Sequence, residues 1–171
     1  MLLYKNTFIF VPMKTININI PVIIKEEHEL TADEATLAKE AKQATYRSYA
    51  PYSHFSVGSA VMLADGTVIS GSNQENAAYP SGLCSERTTI FYACSQQPDT
   101  PVRRICIAAR GTDGNYLTRP IPPCGACRQV LLETEMRAGN DIEILLYGTE
   151  YSYCLRSVKD LMPLTFDSSF L

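Results

Sequence analysis

Apolar and polar positions follow two different periods along this chain, and the switches between them mark out its elements. Ile16, Ile18 and Ile20 alternate with Asn17 and Asn19, the two-residue period of an extended segment. Residues 1–28 are therefore expected to form an N-terminal arm carrying one added strand, with Met13 an alternative beginning. Thr31 and Glu34 form a capping box behind a possible staple residue, Leu30, and predict a helix from Thr31 to about Ser48, stopped by Pro51. Ser56 to Leu63 and Val68 to Ser72 flank Ala64-Asp65-Gly66-Thr67, an Asp-Gly turn between apolar runs that predicts a hairpin. Helices are expected over Cys84 to Ser95 and Cys124 to Arg137, and buried strands over Val102 to Ala109 and Ile142 to Tyr147. Val158 to Leu161 begins a short final helix stopped by Pro163. Helix, hairpin, helix, strand, helix, strand indicates an α/β fold, a three-layer α/β/α domain over residues 29–171 with a mixed central sheet.

A length of 171 residues with 46% hydrophobic positions suits one core. The formal charge of -3 argues against a nucleic-acid partner, since binding to phosphate backbones needs excess Lys and Arg. No apolar run reaches the roughly 18 residues of a membrane span. The apolar start, Met1 to Met13, carries its charge late, at Lys5, and no small-residue cleavage site follows, so a cytoplasmic location is expected. Six cysteines are too dilute for a disulfide scaffold.

Cys84-Ser85-Glu86 precedes Pro123-Cys124-Gly125-Ala126-Cys127, and Cys84 and Cys124 each open a predicted helix. Helix N-termini stabilise thiolates, the form that binds zinc. Three thiolates would hold a tetrahedral Zn²⁺ and leave one corner for water, the arrangement of a catalytic site, whereas a structural zinc takes four protein ligands. Glu86 starts the same helix and could carry protons for that water. A CxxC alone is more often a redox pair or half of a structural site; its conjunction with the upstream Cys-Ser-Glu favours catalytic zinc. Cys94, Cys106 and Cys154 lie in apolar stretches without ligand spacing, which suggests packing roles, and His28 and His54 are not placed as ligands.

From about Ala41 to Phe166 the chain resembles the small, tetrameric cytidine deaminases. The resemblance is carried by residues 46–58 (YRSYAPYSHFSVG), 73–80 (NQENAAYP), 84–88 (CSERT) and 123–130 (PCGACRQV). It implies one Zn²⁺ per subunit on Cys84, Cys124 and Cys127, and water activated there attacking C4 of cytidine or deoxycytidine with Glu86 as proton shuttle. It further implies that Asn73 and Glu75 bind the ribose 3′-hydroxyl, that Phe55 packs on the pyrimidine, and that the Ser85 backbone N–H contacts the base. Arg87 would donate to zinc-bound sulfur, and Phe166 would enter a neighbouring subunit's site in a homotetramer. Each has a plainer reading beside it: a polar turn for Asn73 and Glu75, a core ring for Phe55, a surface cation for Arg87, a tail anchor for Phe166. Ser85 departs from the family's usual Ala, and residues 1–28 exceed its usual start. Rival readings are a related deaminase, such as one acting on blasticidin S, a non-catalytic zinc module, and a polynucleotide deaminase.

Overall fold

A computed structural model describes residues 14–171 of the chain; Met1 to Met13, including the question of a signal peptide, lie outside the described residues. The strands are β1 (Ile23–Lys25), β2 (Ser56–Leu63), β3 (Val68–Ser72), β4 (Val102–Arg110), β5 (Glu143–Leu146) and β6 (Ser152–Leu155). The helices are α1 (Ala32–Ala44), α2 (Ser85–Gln96) and α3 (Gly125–Ala138). The strands form one sheet in the order β1-β6-β5-β4-β2-β3, mixed as expected, with β4 and β5 parallel and every other neighbour antiparallel.

Alternation along the strands divides the core in two. Val61, Ile105, Ile107, Ile144, Leu146 and Leu155 face α2 and α3. Their neighbours Ala60, Cys106, Ala108, Leu145 and Cys154 face α1. The α1 side is built from small residues, and the helix lies close: a Cβ at Gly58 would stand 2.2 Å from the Ala41 carbonyl oxygen and 2.6 Å from the Thr45 nitrogen. The hairpin turns as the sequence predicts, with Gly66 at φ +86° and the Asp65 carboxylate accepting the Thr67 N–H at 2.9 Å. Left-handed backbone at that point suits glycine.

Four features differ from expectation. Helix α1 ends at Ala44 and tightens into a 3₁₀ turn over Thr45–Arg47. There the Thr45 hydroxyl donates back to the Lys42 carbonyl at 2.7 Å and Arg110 donates to the Thr45 carbonyl at 3.2 Å, so side chains satisfy the terminal carbonyls. The added strand is β1, Ile23–Lys25, and not the alternating Ile16 to Ile20, where Ile16 and Ile18 are exposed. It pairs with β6, and Lys25 bridges to Glu34 of α1 at 2.8 Å. β6 itself was not expected. The final segment, Val158–Leu161, is a 3₁₀ turn.

Strands β3, β4 and β5 run in one direction, since β3 and β4 are each antiparallel to β2. Their carboxyl ends therefore share one end of the sheet, where ligands of open α/β sheets usually bind. The chain leaves β3 toward α2 and β4 toward α3 at this end, bringing two helix N-termini side by side.

Candidate active site

Cys84 is the N-cap of α2 and Cys124 the N-cap of α3, both in extended backbone with no side-chain cap hydrogen bond. Sulfur thus stands where Ser or Asp would normally receive the first free N–H groups, in the positive end of each helix dipole. Cys127 follows within the first turn of α3. The Cys84 and Cys124 sulfurs are 3.7 Å apart and those of Cys124 and Cys127 3.4 Å apart. Both separations are too long for a disulfide bond of about 2.05 Å. They approach the edge of about 3.8 Å that a sulfur tetrahedron has at a Zn–S length of about 2.3 Å. Among the described residues these three form the one cluster of metal-binding side chains with donor atoms within 4.8 Å of one another, so the donor set fits zinc.

The electrostatics of the cluster favour a cation. The Cys127 thiol donates toward Cys84 and, with the Arg87 guanidinium and the Cys124 thiol, brings the Cys84 pKa down to about 5. Cys127 is pushed the other way, first by the Cys84 thiolate it bonds and then by burial. Cys84 thus gives up its proton more readily than Cys127, and a positive ion between the sulfurs would favour the thiolate form. Arg87 Nη2 lies 3.8 Å from Cys84 Sγ, while its buried Nε has no protein acceptor.

Glu86 is 4% exposed. Burial raises its pKa, against hydrogen bonds from its own backbone N–H and from the Ser85 hydroxyl, whose Oγ donates to Glu86 Oε2 at 2.9 Å. Thr89 anchors this helix start to the sheet, donating to the Ser85 carbonyl at 2.8 Å and meeting the Ser59 hydroxyl at 2.7 Å.

In front of the cysteines opens a cleft of about 480 Å³ bordered by Tyr52, Asn73, Glu75, Tyr79, Cys84 and Arg87. The Asn73 amide oxygen accepts from Val57 N at 2.8 Å and from the Ser48 hydroxyl, and its nitrogen donates to the Phe55 carbonyl at 2.9 Å. One amide hydrogen is left for a ligand. The Glu75 carboxylate receives the Tyr52 N–H at 2.9 Å, the Ser53 N–H and the Ser53 hydroxyl, and these bonds, the hydroxyl first, hold its pKa below the usual carboxylate range.

The fold thus gathers Cys84, Cys124, Cys127, Glu86, Ser85 and Arg87, with Asn73 and Glu75 across the cleft. Phe55 is half-buried at the end of the turn, outside the cleft border. Phe166 is 59% exposed, stacked on Phe170 at 5.8 Å, and belongs to none of the cleft walls of its own chain. Cys106 is buried and Cys154 nearly so, and burial raises both thiols, as packing roles require. Sequence reasoning missed Tyr52, Ser53 and Tyr79 as cleft residues. The signal available was the pair of Pro-flanked tyrosines, Pro51-Tyr52 and Tyr79-Pro80.

Residues 31–139 match the family model described as the cytidine and deoxycytidylate deaminase zinc-binding region. A cytidine deaminase of Halalkalibacterium halodurans is 46% identical over 131 residues, covering 77% of this chain and 92% of that protein. A cytidine deaminase of Mycobacterium tuberculosis is 35% identical over 127 residues, covering 74% and 84%. Among solved structures, the cytidine deaminase of Burkholderia pseudomallei superposes with a TM-score of 0.66 at 36% identity, covering 80% of this chain and all of the other. The family match spans the two helix N-termini that carry the three cysteines and the buried glutamate, and the chain belongs to the zinc-binding cytidine and deoxycytidylate deaminases, a family of hydrolytic enzymes.

Proposed function

We propose that the protein hydrolyses the 4-amino group of cytidine and deoxycytidine, giving the uridine nucleosides and ammonia, as a step of pyrimidine salvage in the cytoplasm. The observation that carries this reading is the convergence of three thiols with the buried Glu86 carboxylate at two adjacent helix N-termini. A reducing compartment keeps such thiols available.

Cys84, Cys124 and Cys127 would hold one Zn²⁺ per subunit, which when bound supplies a Lewis acid that lowers the pKa of water toward neutrality. Arg87, beside Cys84, offsets the surplus negative charge of three thiolates. Glu86 accepts a proton from the attacking water and hands it to N3 of the pyrimidine, which makes C4 electrophilic. As the new C4–O bond forms, a second proton passes through Glu86 to the exocyclic nitrogen, the C–N bond breaks and ammonia leaves. Burial favours this role, because it raises the affinity of the carboxylate for a proton.

Asn73, with its remaining amide hydrogen, and Glu75 suit the hydroxyls of a ribose, and the resemblance assigns the base to the Ser85 backbone N–H and to Phe55, although Phe55 stands outside the cleft border of the single chain. A carboxylate in the cleft opposes a substrate phosphate, which favours the free nucleoside over deoxycytidylate. The resemblance to the tetrameric deaminases implies a homotetramer in which each Phe166 closes a neighbour's site, and the exposed rings of Tyr79, Phe91, Tyr92 and Phe166 offer apolar surface that further copies of the chain would cover. The test is loss of the cytidine absorbance band on incubation with purified protein, beside parallel reactions with deoxycytidine, deoxycytidylate, blasticidin S and single-stranded DNA. The two nucleosides are expected to turn over fastest; turnover of blasticidin S or DNA in their place overturns the assignment.

A further inference from the structure

Ser85 has a side chain whose function is separate from that of its backbone. It is fully buried and occupies the first position of α2. A serine hydroxyl deeper in a helix can donate to the carbonyl one turn back, but at the first position no helical carbonyl precedes it. Its acceptor here is Glu86 Oε2, at 2.9 Å. The Ser85 carbonyl is itself fixed by Thr89, which is tied to Ser59 of β2. The backbone that carries the hydroxyl is thereby held to the sheet through two buried side chains, Thr89 and Ser59.

We propose that the Ser85 hydroxyl is a positioning residue for Glu86, holding one carboxylate oxygen so that the other faces the sulfur cluster and the C4 end of the cleft. The proposal rests on the deaminase reading and adds to it the device that orients the proton carrier. Without this bond the carboxylate keeps the hydrogen bonds of its own backbone N–H and of the Cys127 thiol but loses the hydroxyl that fixes Oε2, so its terminal torsion is less firmly set. Proton delivery to two different nitrogens in one turnover suffers when the donor oxygen is not kept in place. The hydrogen bond acts on Glu86 and not on the nucleoside, so its loss falls on turnover and leaves substrate binding alone.

Three measurements on Ser85→Ala test this. First, kcat is expected to fall about ten- to a hundred-fold, the range for a hydrogen bond to a charged group, with KM within about two-fold and zinc content and thermal midpoint unchanged. Second, in a Glu86→Gln background the same substitution should produce no further loss, since both changes remove one unit. Third, in the zinc-free protein the carboxylate stretch assigned to Glu86 by infrared difference against Glu86→Gln should shift on Ser85→Ala. Unchanged kcat, a loss confined to KM, additive losses in the double variant, or an unmoved infrared band each overturns the proposal. Absence of turnover in the unsubstituted protein overturns the deaminase reading instead, and the infrared band still decides whether Ser85 holds Glu86.

Discussion

At the scale of single residues, the reactive centre depends on side chains that stand where a helix would ordinarily take a hydroxyl or carboxylate cap. Because Cys84 and Cys124 occupy those positions, the three cysteines that the sequence singles out come together in the fold, with the buried Glu86 at the start of the same helix as Ser85. Asn73 and Glu75 were legible as a pair but not in what they do for their own chain: most of their hydrogen bonds organise the turn around His54, which takes φ +55°. No periodicity encodes that turn. Two predictions belong here. Glu86→Gln keeps the shape of the side chain but exchanges one acceptor oxygen for an amide nitrogen that cannot carry protons, so the protein should fold and retain zinc while kcat drops about 10²- to 10⁴-fold; near-normal turnover ends the proton-carrier role. Elemental analysis should find about one zinc per subunit, and chelation should abolish activity and lower the thermal midpoint, because a ligand at a hundred times its Kd contributes about 2.7 kcal/mol. Active protein without zinc contradicts this.

At the scale of elements, what the sequence concealed lies mostly on the β5–β6 side. Ser152–Leu155 is a four-residue strand whose Tyr153 and Cys154 do not read as a buried run, and its pairing with β1 and β5 is fixed by long-range register rather than local pattern. The end of α1 differs because its stop is set by the Thr45 hydroxyl and by Arg110, which satisfy its terminal carbonyls, and not by Pro51. Glu135 escaped notice for the same reason. It lies on α3, 2% exposed, and its carboxylate accepts the Ile142 and Val158 N–H groups, each at 2.9 Å, and the Ser157 hydroxyl at 2.7 Å. It joins α3 to the entry of β5 and to the turn after β6. Glu135→Ala strands three buried donors and should destabilise by about 3 kcal/mol, at about 1 kcal/mol or more for each unmade bond. Lys159 also approaches Glu135, at 3.6 Å, but is half-exposed, so Lys159→Ala should stay within about 0.5 kcal/mol. Urea unfolding of both variants at one protein concentration measures the contrast; equal effects would show that the ion pair, not the buried hydrogen bonds, ties these elements together.

At the scale of the whole molecule, a single chain borders its cleft with Tyr52 and Tyr79, while Phe166 belongs to none of that cleft's walls. Phe166 follows the exposed Leu164, and the tail is attached to α3 through the Gln129 side chain, which donates to the Phe166 carbonyl at 3.0 Å. Removing residues from Phe166 onward costs this bond and the Phe166–Phe170 stack, both on the surface, so the truncated chain should fold. If the ring completes a neighbour's site, the truncated protein should lose much of its turnover, since one well-packed aromatic is worth a few kcal/mol. The Glu86→Gln chain should be nearly dead for the separate reason that it lacks the proton carrier. Refolding the two together in equal amounts makes mixed assemblies in which an intact Glu86 can receive a tail from the other variant. In a closed symmetric oligomer with random mixing, half of the sites keep Glu86 and half of those meet a tail, so about a quarter of the unsubstituted activity should return. A control mixture whose Glu86→Gln partner is also truncated should restore nothing, which separates tail donation from mere assembly. Full activity in the truncated protein alone, or no recovery in the first mixture, would show that Phe166 serves its own chain as a tail anchor and that each site is complete within one subunit.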